Sequence, residues 1–269
     1  MILLVYLAIG AFAGFVAGLF GVGGGLIIVP ILYAVFLAQG YDPTYIMHMA
    51  LGTSLATIIV TSISSISAHH KKGAVMWQVV KNLTPGLAIG SFFGAAIADF
   101  LPSHVLQIFV SCFAFWMAFK MFRGAQAVVD TSKQLPSKLH QVTAGGCIGI
   151  ASAIFGIGGG SLTVPYLNRY GVVMQKAVAT SAACGFPIAV AGALGFIWFG
   201  NLQHEIKGAI GYVHIYAFVG ISVMSFITAR LGAKTAHKLS PIMLKKCFAC
   251  LLATVGTFMM YKSITHFLM

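Results

Sequence analysis

The chain has 269 residues, of which 59% are hydrophobic and only 7% charged, and its mean hydropathy is +0.96. Soluble domains carry about 25% charged residues, so a soluble enzyme of ordinary composition is excluded, as is a disordered chain. Sixteen basic against four acidic residues give a formal +12, but the basic residues fall in short clusters between apolar runs. That is the pattern of cytoplasmic loops in a membrane protein, and it argues against nucleic acid as a partner.

A membrane span needs about 20 mostly apolar residues. In chain order the apolar segments are 2–20, 25–38, 45–68, 82–99 and 104–122, then 140–155, 160–168, 176–199, 210–230 and 242–262. The expected fold is all-α, a polytopic membrane protein of about 8–10 segments embedded in the lipid bilayer. Segment 2–20 has no basic residue before it, so it reads as part of the mature protein rather than as a secretory signal. The five cysteines lie inside apolar segments and read as packed or lipid-facing residues.

The two halves echo each other. Gly18-Leu-Phe-Gly-Val-Gly-Gly-Gly-Leu-Ile-Ile-Val-Pro30 returns 135 residues later as Ala153-Ile-Phe-Gly-Ile-Gly-Gly-Gly-Ser-Leu-Thr-Val-Pro165. Ala50-Leu-Gly-Thr53-Ser54 returns as Ala177-Val-Ala-Thr180-Ser181, and Leu101-Pro102 as Ser240-Pro241. Three echoes in one order predict a duplication. Residues 1–130 form the first repeat, 131–139 a linker and 140–269 the second repeat, with about five membrane segments in each.

Charge sets the expected orientation. Five segments per half bring fourteen of the sixteen basic residues to one side, which the positive-inside rule makes the cytoplasm. The linker region 123–139 is then cytoplasmic, both termini lie outside, and the repeats are inverted. The segments beside the glycine triplets are short, and 160–168 is too short to cross alone at 1.5 Å per residue. Each triplet therefore marks a broken or re-entrant helix pair.

Inverted repeats with matching Gly-interrupted segments point to a secondary transporter. A helix that starts inside the membrane has free N–H groups and a positive dipole end, which favour an anion. The candidate substrate-binding residues are Gly21, Gly23, Gly24 and Gly25, with Gly156, Gly158, Gly159 and Gly160. Glycine packing between helices is the competing explanation. Pro30 and Pro165 follow at matched spacing as helix-break or gating residues. Thr53, Ser54 and Thr57 in the third segment, and Thr180 and Ser181 in its echo, are candidate donors to an oxyanion. Bonds to their own helix carbonyls are the plainer reading of the hydroxyl stripe as a whole. His48 and His214 are candidates for proton coupling. The chain has no Gly-x-Ser-x-Gly, no His-Glu-x-x-His and few carboxylates, so no enzyme, metal or cofactor is expected.

The duplicated Phe-Gly-x-Gly-Gly-Gly-x-x-x-Val-Pro and the paired Thr-Ser echoes resemble the TauE/SafE family, also called the sulfite exporter or TSUP family, over essentially the whole chain. The resemblance implies an inner-membrane protein that exports sulfite, sulfonates or other small sulfur-containing anions on a proton or sodium gradient. A passive anion channel on the same scaffold, or a carrier of another small organic anion, is the alternative.

Overall fold

The computed structural model describes residues 2–20, 24–122, 134–203, 206–236 and 241–268. Its elements are α1 (Ile2–Phe20), α2 (Gly25–Ala38), α3 (Pro43–Lys71), α4 (Trp77–Phe100), α5 (Ser103–Phe122), α6 (Lys138–Phe155), α7 (Gly160–Arg169), α8 (Met174–Gln203), a hairpin of β1 (Ala209–Ile210) and β2 (Val213–His214), α9 (Ile215–Ala236) and α10 (Pro241–Leu268). The architecture is all-α and polytopic. Among the described residues five helices are long and apolar enough to cross a membrane, and three shorter apolar helices accompany them.

Local chemistry explains several boundaries. α3 begins at Asp42, whose carboxylate accepts from the Thr44 N–H at 2.8 Å with Pro43 in the first turn. α6 begins at Ser137, whose hydroxyl oxygen accepts from the His140 N–H. At 1.5 Å per residue, α2 is about 21 Å long and α7 about 15 Å. Both are shorter than the bilayer's hydrocarbon core of about 30 Å.

Two predicted segments begin elsewhere than expected. The fourth was expected over 82–99, but its helix begins at Trp77. The ninth was expected over 210–230. It opens as a hairpin in which Ala209 pairs with His214 and Ile210 with Val213, and its helix starts at Ile215.

α3 and α8 pack against each other at the centre. Around them α1 packs on α9, α6 packs on α4, and α5 packs on α10. α1 and α6 are equivalent under the sequence echo, and so are α4 and α9. The first two outer packings are therefore one contact made twice, each time between halves. Both run on small residues. A Cβ on Gly10 would stand 2.7 Å from the Ile221 Cα, and one on Gly94 would stand 2.7 Å from the Ile150 carbonyl oxygen. A Cβ on Gly90 would collide with the Gly146 carbonyl, and one on Gly149 with that of Leu87. Such approaches let helix backbones touch in lipid, where dispersion replaces the hydrophobic effect. The outer faces carry exposed Phe109, Trp116, Phe119, Trp198 and Tyr261, as a lipid-facing surface requires.

Candidate functional site

The two glycine motifs form two helix breaks. The first follows α1. Gly21 and Gly23 lie outside the described residues. Gly24 adopts φ 76°, open to glycine at little cost, and α2 begins at Gly25. The second break follows α6, which closes on Gly156 at φ 63°. The Gly156 and Ile157 N–H groups donate to Ala153 and Ser152 carbonyls at 3.1 and 3.0 Å. α7 then begins at Gly160. Neither helix start has a side-chain cap, so each presents the positive end of its dipole to the break. Pro30 and Pro165 lie inside α2 and α7. Having no N–H, they leave the Leu26 and Ser161 carbonyls without their usual helical donors.

The breaks touch. A Cβ on Gly25 would collide with the Gly156 carbonyl and stand 2.9 Å from the Ile157 Cα. Ile58 of α3 reaches both: its Cδ1 would be 3.2 Å from a Cβ on Gly25, and its Cγ2 3.3 Å from one on Gly158. The Ser54 hydroxyl donates to the Gly156 carbonyl at 2.8 Å. Gly159 sits against α8, where a Cβ would be 3.1 Å from the Ser181 carbonyl oxygen and 3.2 Å from the Gly185 nitrogen. Close packing is thus a physical reason for Gly25 and Gly159, alongside any ligand.

The hydroxyls divide by role. Thr57 donates to the Ser54 carbonyl at 2.7 Å and Ser181 to the Val178 carbonyl at 2.8 Å. Thr61 bonds back to its own helix as well, so the third-segment stripe is largely satisfied internally. Thr53 and Thr180 do something else. Thr53 Oγ1 accepts from the His214 N–H at 2.9 Å, just before α9. Thr180 Oγ1 accepts from the Met76 N–H at 3.1 Å, just before α4. α4 and α9 hold matching places after the echoed segments of the sequence. Each threonine therefore fastens the start of a helix in the opposite half.

The two histidines are both engaged. The His48 Nε2–H donates to the Ala98 and Leu101 carbonyls at 3.0 and 3.1 Å, and its ring lies 5.0 Å from that of Tyr212. The Tyr212 hydroxyl donates to Asp99 at 2.8 Å; burial first, and then the carboxylate, raise its pKa. His214 Nδ1 accepts from the Ala217 N–H at 3.2 Å, so the proton sits on Nε2 and is donated to Tyr41 Oη at 2.9 Å. Tyr41 in turn donates to the Lys207 carbonyl at 3.2 Å. Tyr6, Phe36 and Tyr216 crowd the ring. His214 lies in the hairpin, outside the helices, and burial pushes its pKa down to about 4. It is a neutral structural cap at physiological pH.

Sequence reading passed over Ser152, Ser161 and Thr163, whose buried hydroxyls have no protein partner. They flank the second break. The 135-residue alignment held the signal, because Ala17, Leu26 and Ile28 occupy the matching positions. No group of three His, Cys, Asp or Glu side chains able to hold a metal occurs among the described residues.

An all-α membrane fold with paired helix breaks at its centre defines a transporter class, and the known relatives agree. Residues 6–259 match the family described as "Sulfite exporter TauE/SafE". A protein of Haemophilus influenzae named "Probable membrane transporter protein" is 38% identical over 97% of this chain and 98% of its own length. One of the same description from Methanocaldococcus jannaschii is 29% identical over 97% and 96%, and one from Bacillus subtilis 26% identical over 97% and 100%. No solved structure matches the chain. The chain belongs to the TauE/SafE family and is an integral membrane transporter.

Proposed function

We propose that this transporter is a secondary carrier of small sulfur oxyanions or organosulfonates, exporting them across the inner membrane by alternating access, with its termini outside. The observation that supports this most is that α2 and α7 both start without side-chain caps, and that Gly25, the buried start of α2, packs against the Gly156–Ile157 backbone just ahead of α7. Free N–H groups and dipole ends bind an anion without a fixed countercharge, and a carrier must also release its cargo. Rocking of the halves about these breaks would expose them to each side in turn.

Counterflow in proteoliposomes tests the reading. Vesicles preloaded with sulfite or sulfoacetate should accelerate uptake of the labelled anion, and a proton or sodium gradient should drive net movement. Voltage-driven current without exchange stimulation would make the protein a channel. The absence of flux for every sulfur anion would overturn the proposal.

A further inference from the structure

The connection from α8 to α9 differs from the matching one in the first repeat. α3 passes to α4 through residues 72–76 alone, whereas α8 passes to α9 through the hairpin of β1 and β2. The two strands have unlike surroundings. Ile210 of β1 is exposed, while Tyr212, Val213 and His214 are buried.

β2 runs deep. The Tyr212 N–H donates to the Phe196 carbonyl at 3.1 Å, and the His214 N–H to Thr53 Oγ1 at 2.9 Å. At 1.5 Å per residue, Thr53 lies about 15 Å along α3 from its start, and Phe196 about 10 Å from the end of α8. Non-helical backbone at such depth is tolerated only where protein buries it or where it lines a water-filled path. Glycines make the seat. A Cβ on Gly211 would collide with the Ile197 carbonyl, and one on Gly200 would stand 2.6 Å from the Tyr212 nitrogen. The Tyr212 ring stacks on Tyr45, and the His214 ring lies against Tyr6 of α1 and Phe36 of α2. β2 thus joins α1, α2, α3 and α8 across one face of the molecule.

Beneath it are the helix breaks. Ser54, the residue after Thr53, donates to the Gly156 carbonyl of the second break at 2.8 Å. β2 therefore ends beside the breaks, between them and the face where α3 starts. Polar ties hold the hairpin at the rim of that face. Asn201 accepts the Gly211 N–H at 2.6 Å, the Tyr212 hydroxyl donates to Asp99 at 2.8 Å, and the Tyr41 hydroxyl donates to the Lys207 carbonyl at 3.2 Å.

We propose that the hairpin is a plug between the breaks and this face, the outer one in the orientation proposed above, and that it lifts off α3 and α8 to let cargo pass. This role rests on the carrier reading, with cargo held at the breaks. The connection after α3 is too short to do the same, so the two faces are gated by different parts of the chain.

The test uses the full chain in proteoliposomes, with Val213→Cys as a reporter. That side chain is buried in the seated hairpin, so a membrane-impermeant thiol reagent added outside reaches it only when the hairpin lifts. Peptide mass spectrometry separates residue 213 from the native cysteines. Adding Tyr212→Phe, which deletes the Asp99 bond, should speed modification about tenfold, and Asn201→Ala about fivefold, with a melting temperature close to that of V213C alone. In a second arm, Y41C/K207C is bridged by a flexible bis-methanethiosulfonate. Counterflow of labelled sulfite should fall about tenfold on bridging and return on reduction, while K207C treated alike keeps its flux. Modification of V213C that neither Y212F nor N201A changes, or undiminished counterflow through the bridged protein, would make the hairpin a fixed wedge and leave the carrier reading standing. If V213C does not fold, the bridged variant decides. The absence of flux for every sulfur anion in the unbridged protein would remove the carrier reading, and the plug with it.

Discussion

The segment before α9 and the segment before α4 are fastened by the same device, a threonine of the opposite half accepting a backbone N–H, but they are fastened unequally. α3 and α8 run antiparallel, so Thr53 meets the segment that follows α8 and Thr180 meets the segment that follows α3. The two latches thus stand at opposite ends of the central pair. Both threonines are fully buried, but at the Thr53 end the N–H belongs to buried His214, which adds a cap on Ala217, a bond to Tyr41 and a surround of aromatic rings. At the Thr180 end the N–H belongs to Met76, which is half-buried, and α4 has no side-chain cap of its own. A duplicated contact has become a strong tie at one end and a weak one at the other.

The largest test of this difference is His214→Ala. It removes the cap on α9, the Tyr41 bond and the ring packing together, and should cost about 3 kcal/mol, read from unfolding in detergent. Next comes acidification. His214 titrates near 4 when folded and near its ordinary 6.5 when unfolded, so between these values the unfolded chain binds more protons. The stabilisation due to neutral His214 is complete above about pH 6.5 and is lost as pH falls towards 4. His214→Phe should flatten that part of the melting profile. Thr53→Val strands a buried N–H and should cost about 2 kcal/mol in the same unfolding measurement. Thr180→Val should cost less than about 1 kcal/mol, because water reaches a half-buried N–H. Equal losses for the two threonine variants would break the comparison.

Much of the fold was legible because helices in lipid announce themselves by apolar length. Segments 2–20 and 25–38 coincide with α1 and α2, and the glycine triplet made the α6–α7 break visible. What stayed hidden depends on partners far along the chain. The start of α4 lies in Trp77-Gln-Val-Val-Lys, too polar to read as membrane helix, and the Met76 N–H before it is held from 104 residues away by Thr180. The hairpin ahead of α9 is likewise tied to Thr53 across 161 residues. The Thr-Ser echo showed that Thr53 and Thr180 are matched, but no local pattern could say that each serves the other repeat. In the candidate site, the alignment exposed the glycines because they agree between copies. It passed over Ser161 and Thr163 because there the copies differ.

The exchange of partners between halves also governs assembly. α1 is synthesised first, yet the helix it packs on, α9, is nearly the last, and α4 must wait for α6. Until then Gly10 and Gly14 of α1, and Gly86, Gly90 and Gly94 of α4, sit in lipid without the backbones they are shaped to meet. Neither half made alone should hold its structure, because α1 and α4 both pack on helices of the other half. Completion of the fold therefore waits for the last helices to be inserted.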